Sequence, residues 1–203
     1  MLNDREVLST LSMIKNENLD VRTVTLGISL LECASHDLPR FTDAIYKRIT
    51  TLAKDLVAVC DEVGDRYGIP VVNKRISVSP IAVAAAPFDS RGMVEVAKTL
   101  DQAARDVKVD FIGGFGALVE KGMAKGDLAL IESIPEALDV TERMCSSINV
   151  ASTRAGINMD AVGLMGRTIK ATAERTKDRD GLGCAKLVVF ANIPEDVPFM
   201  AGA

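Results

Sequence analysis

The segment 71–80, VVNKRISVSP, limits the possible folds more than any other stretch, because its alternation creates two unlike faces. One face carries mainly hydrophobic side chains: Val72, Lys74, Ile76 and Val78. The other face is polar throughout: Asn73, Arg75, Ser77 and Ser79. Helical patterns flank this strand and indicate a parallel sheet, whose strands are normally apolar on both faces. The polar row therefore marks a candidate site.

Five predicted strands alternate with helical patterns along the chain. The strands are expected at 21–31, 71–80, 109–112, 144–150 and 186–192. The helices are expected up to about residue 15 and at 37–67, 91–107, 126–137 (interrupted at Pro135) and 158–176. This order predicts an α/β protein with parallel β-α units and right-handed crossovers.

A small or polar face recurs in three of these strands, as in the row Thr23, Thr25, Gly27 and Ser29. A sheet curled into all or part of a barrel accommodates such a face, because a barrel interior can line a cavity. An antiparallel sheet with one face in water is the alternative, since alternation is ordinary there.

Length and charge restrict the class of protein. We predict one domain over residues 1–203, and the net charge of -4 gives no reason to expect a nucleic-acid partner. The N-terminal residues do not resemble a signal peptide, and no apolar run reaches the length of a membrane span. We therefore expect a cytoplasmic protein without a membrane partner.

Four dispersed cysteines and a single histidine make a structural metal site improbable, so no metal is predicted. Cys145 is one candidate nucleophile, although a buried cysteine is usually inert. Cys33 is the second, because it precedes His36 at the predicted start of the 37–67 helix, whose dipole would lower a thiol pKa. That helix carries a predicted core stripe: Ile45, Ile49, Leu52, Leu56, Val59 and Val63.

Two further groups of residues are candidates for ligand binding. Arg75, beside Asn73 and Ser77, can hold a carboxylate or phosphate through paired hydrogen bonds; the alternative is a structural arginine. Glycines at positions 113, 114 and 116 suggest a strand-to-helix junction whose N–H groups could meet an anion; the alternative is a close backbone approach. The sequence leaves the cofactor unknown.

The densest polar cluster follows the fourth predicted strand. Its candidate ligand-binding residues are Ser146, Ser147, Asn149, Ser152, Thr153, Arg154 and Asn158. They lie at a strand end, where α/β proteins usually bind ligands. The competing interpretation assigns Asn158 to helix capping and Ser152 and Thr153 to turn hydrogen bonds.

Several runs resemble uncharacterised protein family 0210, also called domain of unknown function 711. They are DVRTVTLGISLLECAS (20–35), GIPVVNKRISVSPIA (68–82), VDFIGGFGALVEKG (109–122), CSSINVASTRAGINM (145–159) and AKLVVFANIPEDVPFMAGA (185–203). The resemblance implies a ten-stranded barrel of the pyruvate formate-lyase type, with the five strands as its first half. Family members are longer, so it also implies a missing half, supplied by a homodimer or another chain.

Two functions are compatible with these residues. The first is binding of a small anionic metabolite, with or without enzymatic turnover; glycyl radical chemistry is disfavoured because no run resembles the radical-bearing loop. The second is a non-catalytic regulatory or assembly role, linked to an ACT-domain partner that the resemblance suggests.

Overall fold

The computed structural model of the chain describes residues 3–16 and 20–193. Its strands are β1 (Val21–Ile28), β2 (Val71–Val78), β3 (Phe111–Leu118), β4 (Met144–Ser152), β5 (Gly156–Ile157) and β6 (Leu187–Ala191). Its α-helices are α1 (Asp4–Asn16), α2 (Leu38–Leu52), α3 (Leu56–Tyr67), α4 (Ile81–Ala84), α5 (Ser90–Asp106), α6 (Lys125–Val140), α7 (Met159–Arg175) and α8 (Leu182–Ala185). The last family-like run, 185–203, extends beyond the described residues.

The strands form one mostly parallel sheet in which β1, β2, β3, β4 and β6 are neighbours in chain order. The two-residue β5 is antiparallel to the end of β4. The predicted α/β fold with repeated parallel β-α units is confirmed. The antiparallel alternative is wrong, because the long helical connections return each strand in the same direction.

A layer of helices covers one face of this sheet. Helices α2, α5, α6 and α7 pack side by side in chain order, as expected when right-handed crossovers connect successive strands. The core between the layers includes the sheet residues Ile28, Ile76, Ile112, Phe115 and Met144 and the helix residues Phe41, Ile45, Met93, Leu100 and Leu130. Alternation directs the remaining strand side chains to the opposite face.

The predicted single helix over 37–67 is wrong, because the chain breaks between α2 and α3. Asp37 caps α2 as expected, accepting a hydrogen bond from the Arg40 N–H, but α2 ends where fully buried Ala53 donates to Ile49 O. Because of this break, the predicted core stripe does not face the core along its whole length. Three of its later residues are about half exposed: Leu52, Val59 and Val63.

Helix α6 is not interrupted at Pro135, as the sequence suggested, but continues to Val140. The proline lacks an N–H donor and costs a helix interior roughly 3 kcal/mol. Burial of Ile131, Ile134 and Leu138 in the core offsets this cost.

Among the described residues, no helix combines the length and apolar character needed to cross a membrane.

Candidate functional site

Strand register places the polar residues of neighbouring strands on the face opposite the helix layer. We call this surface the polar face and define it by four rows of paired residues. The rows are Thr25–Arg75–Phe111, Gly27–Ser77–Gly113, Gly116–Ser147–Val188 and Leu118–Asn149–Phe190. The sequence-predicted residues Arg75, Ser77, Gly113, Gly116, Ser147 and Asn149 are therefore brought together on one surface.

A cavity of about 230 Å³ lies at this face. Its lining includes Arg75, Phe111, Gly113, Cys145, Lys186 and Val188. The guanidinium carbon of Arg75 lies 5.3 Å from the centre of the Phe111 ring, and Arg75 Nε is buried without a hydrogen-bond partner. In the described part of the chain, Arg75 has no acidic partner. Arg75 is thus a cation that packs against an aromatic ring and has unused hydrogen-bond donors.

Three more side chains of the polar face are buried with an unpartnered polar atom. Ser77 and Ser147 are at most 1% exposed and Asn149 is 3% exposed. The hydroxyls of both serines and Oδ1 of Asn149 have no hydrogen-bond partner, whereas Asn149 Nδ2 donates to Glu120 Oε2 at 3.3 Å. Such groups normally have partners in proteins. Of the five described side chains with such an atom, four lie on the polar face, and the fifth, Ser146, lies on the helix side of the sheet.

Ser146 is separated from these groups. It pairs in register with Phe115 and Leu187, so it lies on the helix side of the sheet although its neighbour Ser147 lies on the polar face. Asn73 lies two residues before Arg75 on the same side of β2, outside the four rows, and its Nδ2 donates to Arg22 O at 3.1 Å.

The glycine run does not form the predicted strand-to-helix junction. It lies inside β3, and the next helix, α6, begins only at Lys125. The pairing with β4 shifts between Ile112 and Phe115, so Gly113 and Gly114 together oppose one residue, a β-bulge. Gly114 has φ 105°, and a Cβ there would lie 2.3 Å from Val78 O. Close packing against β2 explains this glycine, as in the alternative interpretation.

The two candidate nucleophiles differ in position but share a raised thiol pKa. Burial raises the pKa of Cys145 and outweighs the opposing charges of Lys186 and Arg75. Burial also raises the pKa of Cys33, which belongs to a separate 3₁₀ turn, Leu31–Cys33, and not to the start of α2. The predicted lowering of the Cys33 pKa by a helix dipole is therefore wrong. Both thiols favour the protonated, less nucleophilic form.

The end of β4 and the segment that follows it use most of their polar groups locally. Ser152 Oγ accepts a hydrogen bond from the Ala155 N–H at 3.1 Å, and Thr153 Oγ1 donates to Asn192. Arg154 is exposed in the same turn. Asn158 Oδ1 accepts from the Ala161 N–H at 3.2 Å while its Nδ2 donates to Val119 O at 2.7 Å. These contacts match the turn and capping roles that the sequence also allowed.

Replacing Asn158 with alanine is expected to lower the free energy of unfolding by about 1–2 kcal/mol, because the α7 cap and the bond to Val119 are both lost. Asn158→Ser is the control, since its hydroxyl keeps the cap but offers no amide N–H to Val119 O. Urea denaturation of both variants measures the difference. Equal losses in the two variants would contradict a capping role.

Lys186 is a cavity residue that the sequence did not single out. It is 7% exposed, and its ammonium donates to Leu138 O at 3.0 Å and to Thr141 O, at the end of α6. Burial lowers its pKa. A lysine at the start of a predicted strand was the available signal, but the strand pattern did not reveal its burial.

The described residues contain no group of three or more His, Cys, Asp or Glu side chains able to hold a metal.

A family model described as "Uncharacterised ACR (DUF711)" matches residues 12–203. The chain belongs to the DUF711 family. The family is uncharacterised, and nothing in these comparisons indicates a specific function.

Curated relatives of this DUF711 chain carry the name UPF0210 protein. The chain is 70% identical to the protein of Desulfovibrio desulfuricans over 203 residues and 69% identical to that of Syntrophobacter fumaroxidans. An archaeal relative, from Methanosarcina mazei, is 61% identical. All of the chain is covered in each case, but only 44%, 44% and 45% of the respective relatives. The chain thus spans less than half the length of these proteins.

Proposed function

We propose that the polar face binds a small anionic metabolite, with Arg75 contacting the anion. The observation that carries this proposal is an arginine with no acidic partner in the described chain, held over Phe111 at a cavity of about 230 Å³. A guanidinium presents parallel N–H donors that match a carboxylate or phosphate. Its Nε is buried without a partner, so the guanidinium has an unused donor.

The buried hydroxyls of Ser77 and Ser147 and the amide oxygen of Asn149 support the same assignment. An unpaired buried polar group costs about 1–3 kcal/mol, so a ligand or ordered water that gave these groups partners would stabilise the fold.

We further propose that the five parallel strands form half of a ten-stranded, pyruvate formate-lyase-like barrel whose interior is the polar face. Parallel sheets are normally covered on both faces. Among the described strands, β1 and β6 each pair on one side only, which leaves edges for further strands. The remainder of a longer chain, or a second copy, would supply them, in a cytoplasmic protein.

The alternative of a regulatory or assembly role with an ACT-domain partner is not favoured by any contact described above. The protonated thiols likewise give no support to covalent catalysis by Cys145 or Cys33. We therefore propose binding alone, without a catalytic step.

A thermal-shift screen of carboxylated and phosphorylated metabolites tests the proposal. A ligand at about 100 times its Kd adds roughly 2.7 kcal/mol to the free energy of unfolding, so a binder raises the Tm by several degrees. Arg75→Met should abolish that shift. Arg91→Met, at an exposed position of α5, is the control and should keep it. The proposal is wrong if no anion stabilises the chain, or if Arg75→Met responds like wild type.

A further inference from the structure

The cavity lining also bears on which anion is bound, an inference that rests on the proposed function. Two cations line the cavity, Arg75 and Lys186, but only one is available. The Lys186 ammonium is held by Leu138 O and Thr141 O. Those carbonyls belong to the C-terminal end of α6, which carries partial negative charge and offsets the lysine.

A single guanidinium suits a monoanion. A carboxylate accepts two parallel hydrogen bonds from one arginine, which matches its charge and its plane. A phosphate monoester carries a charge of about -1.5 to -2 and three acceptor oxygens, and therefore needs further donors. Within the described residues, the cavity lining contains no cationic side chain besides Arg75 and Lys186.

The rest of the wall is apolar or weakly polar. Phe111 lies beneath the guanidinium, the protonated Cys145 thiol is partly buried, and Val188 of β6 is 44% exposed at the cavity. The cavity of about 230 Å³ is smaller than the roughly 300–1,000 Å³ of most small-molecule sites, which favours a ligand of few heavy atoms. A carboxylate with a short hydrocarbon chain fills this volume.

We infer that the ligand is a small monocarboxylate whose carboxylate pairs with Arg75 and whose short apolar chain packs on Phe111 and Val188. Arg75 offers a partner to the carboxylate of such a ligand, and the exposed Val188 beside it offers an apolar contact to the hydrocarbon chain. Phosphorylated metabolites are predicted to bind this cavity more weakly.

NMR titration of the ¹⁵N-labelled chain tests this, with the Arg75 Nε–H resonance as the reporter. The probes are acetate, propanoate, butanoate and pentanoate, compared with methyl phosphate and butyl phosphate. The Kd is expected to fall about threefold to fourfold for each added methylene. Butyl phosphate should bind at least about tenfold more weakly than pentanoate, since one arginine leaves a dianion incompletely paired.

Val188→Thr keeps the shape of the side chain but makes it polar, so it should flatten the chain-length series while acetate still shifts the Arg75 resonance. Arg75→Met should abolish binding of every carboxylate. Tighter binding of the phosphates, or a chain-length series that is flat in wild type, would overturn the inference and leave anion binding intact. Binding of neither class would overturn the proposed function together with the inference.

Discussion

Replacing Gly114 with alanine is expected to lower the free energy of unfolding by about 3–5 kcal/mol. Two costs combine at this position. The backbone has φ 105°, which a residue with a Cβ rarely adopts, and the new Cβ would lie 2.3 Å from Val78 O and 2.5 Å from Val78 Cγ2. Val78 is fully buried in β2 and cannot move away without disturbing the core.

Gly122→Ala is the matched control for this substitution. Gly122 also has positive φ, 135°, but no atom lies within 4 Å of the position where a Cβ would be placed. Gly122→Ala should therefore lower the free energy of unfolding only by the cost of backbone strain at positive φ, about 1–2 kcal/mol. Equilibrium denaturation in urea compares the two variants, and losses of equal size would show that the contact with β2 does not matter.

Replacing Asp101 with asparagine is expected to lower the free energy of unfolding by about 3 kcal/mol at neutral pH. Asp101 lies on α5 and is 2% exposed. Its Oδ1 accepts hydrogen bonds from the N–H groups of Glu142, Arg143 and Met144 at 2.6–3.1 Å. Its Oδ2 accepts from Arg105 at 2.6 Å. The NH₂ group of an asparagine would face either the three N–H groups of the loop between α6 and β4 or the Arg105 guanidinium, so one of these two sets of hydrogen bonds would be lost.

The effect of this substitution should depend on pH. Burial by itself would raise the pKa of Asp101, but the hydrogen bonds from Arg143, Arg105, Met144 and Glu142 outweigh burial and lower the pKa. A lowered pKa means that the carboxylate stabilises the fold fully above its unfolded pKa of about 4 and loses this contribution as the pH falls through the folded value. The difference between wild type and Asp101→Asn should therefore be constant from about pH 5 to 7 and shrink in acid.

Asp106→Asn provides the comparison for Asp101→Asn. Asp106 is an exposed residue of the same helix and accepts from Tyr46 and Gln102. Asp106→Asn should lower the free energy of unfolding much less than Asp101→Asn, because water can replace the hydrogen-bond partners of an exposed side chain. Urea denaturation at several pH values measures both variants. A large, pH-independent loss for Asp101→Asn would contradict the role of its charge.

Periodicity alone was enough to predict the sheet and the shared surface of Arg75, Ser77 and Ser147. Alternation with period two follows from strand geometry, and the parallel direction follows from the intervening helices. The pairing register observed in the structure places these side chains in neighbouring rows.

The missed features depend on contacts between segments distant in sequence. The β3 bulge exists because β2 approaches Gly114, and no local pattern encodes that approach. Lys186 is buried because the end of α6 offers carbonyls nearly 50 residues away. The apolar stripe is continuous across the break between α2 and α3, so the sequence pattern alone does not reveal the break. The burial of Ala53 in the core, and not helix propensity, accounts for two helices in place of one.

The chain-order arrangement of the parallel strands has a consequence for biosynthesis. Each strand after β1 finds its pairing partner already translated, because its neighbour in the sheet is the preceding parallel strand. A nascent polypeptide leaving the ribosome can therefore add one of these β-α units at a time to an existing template.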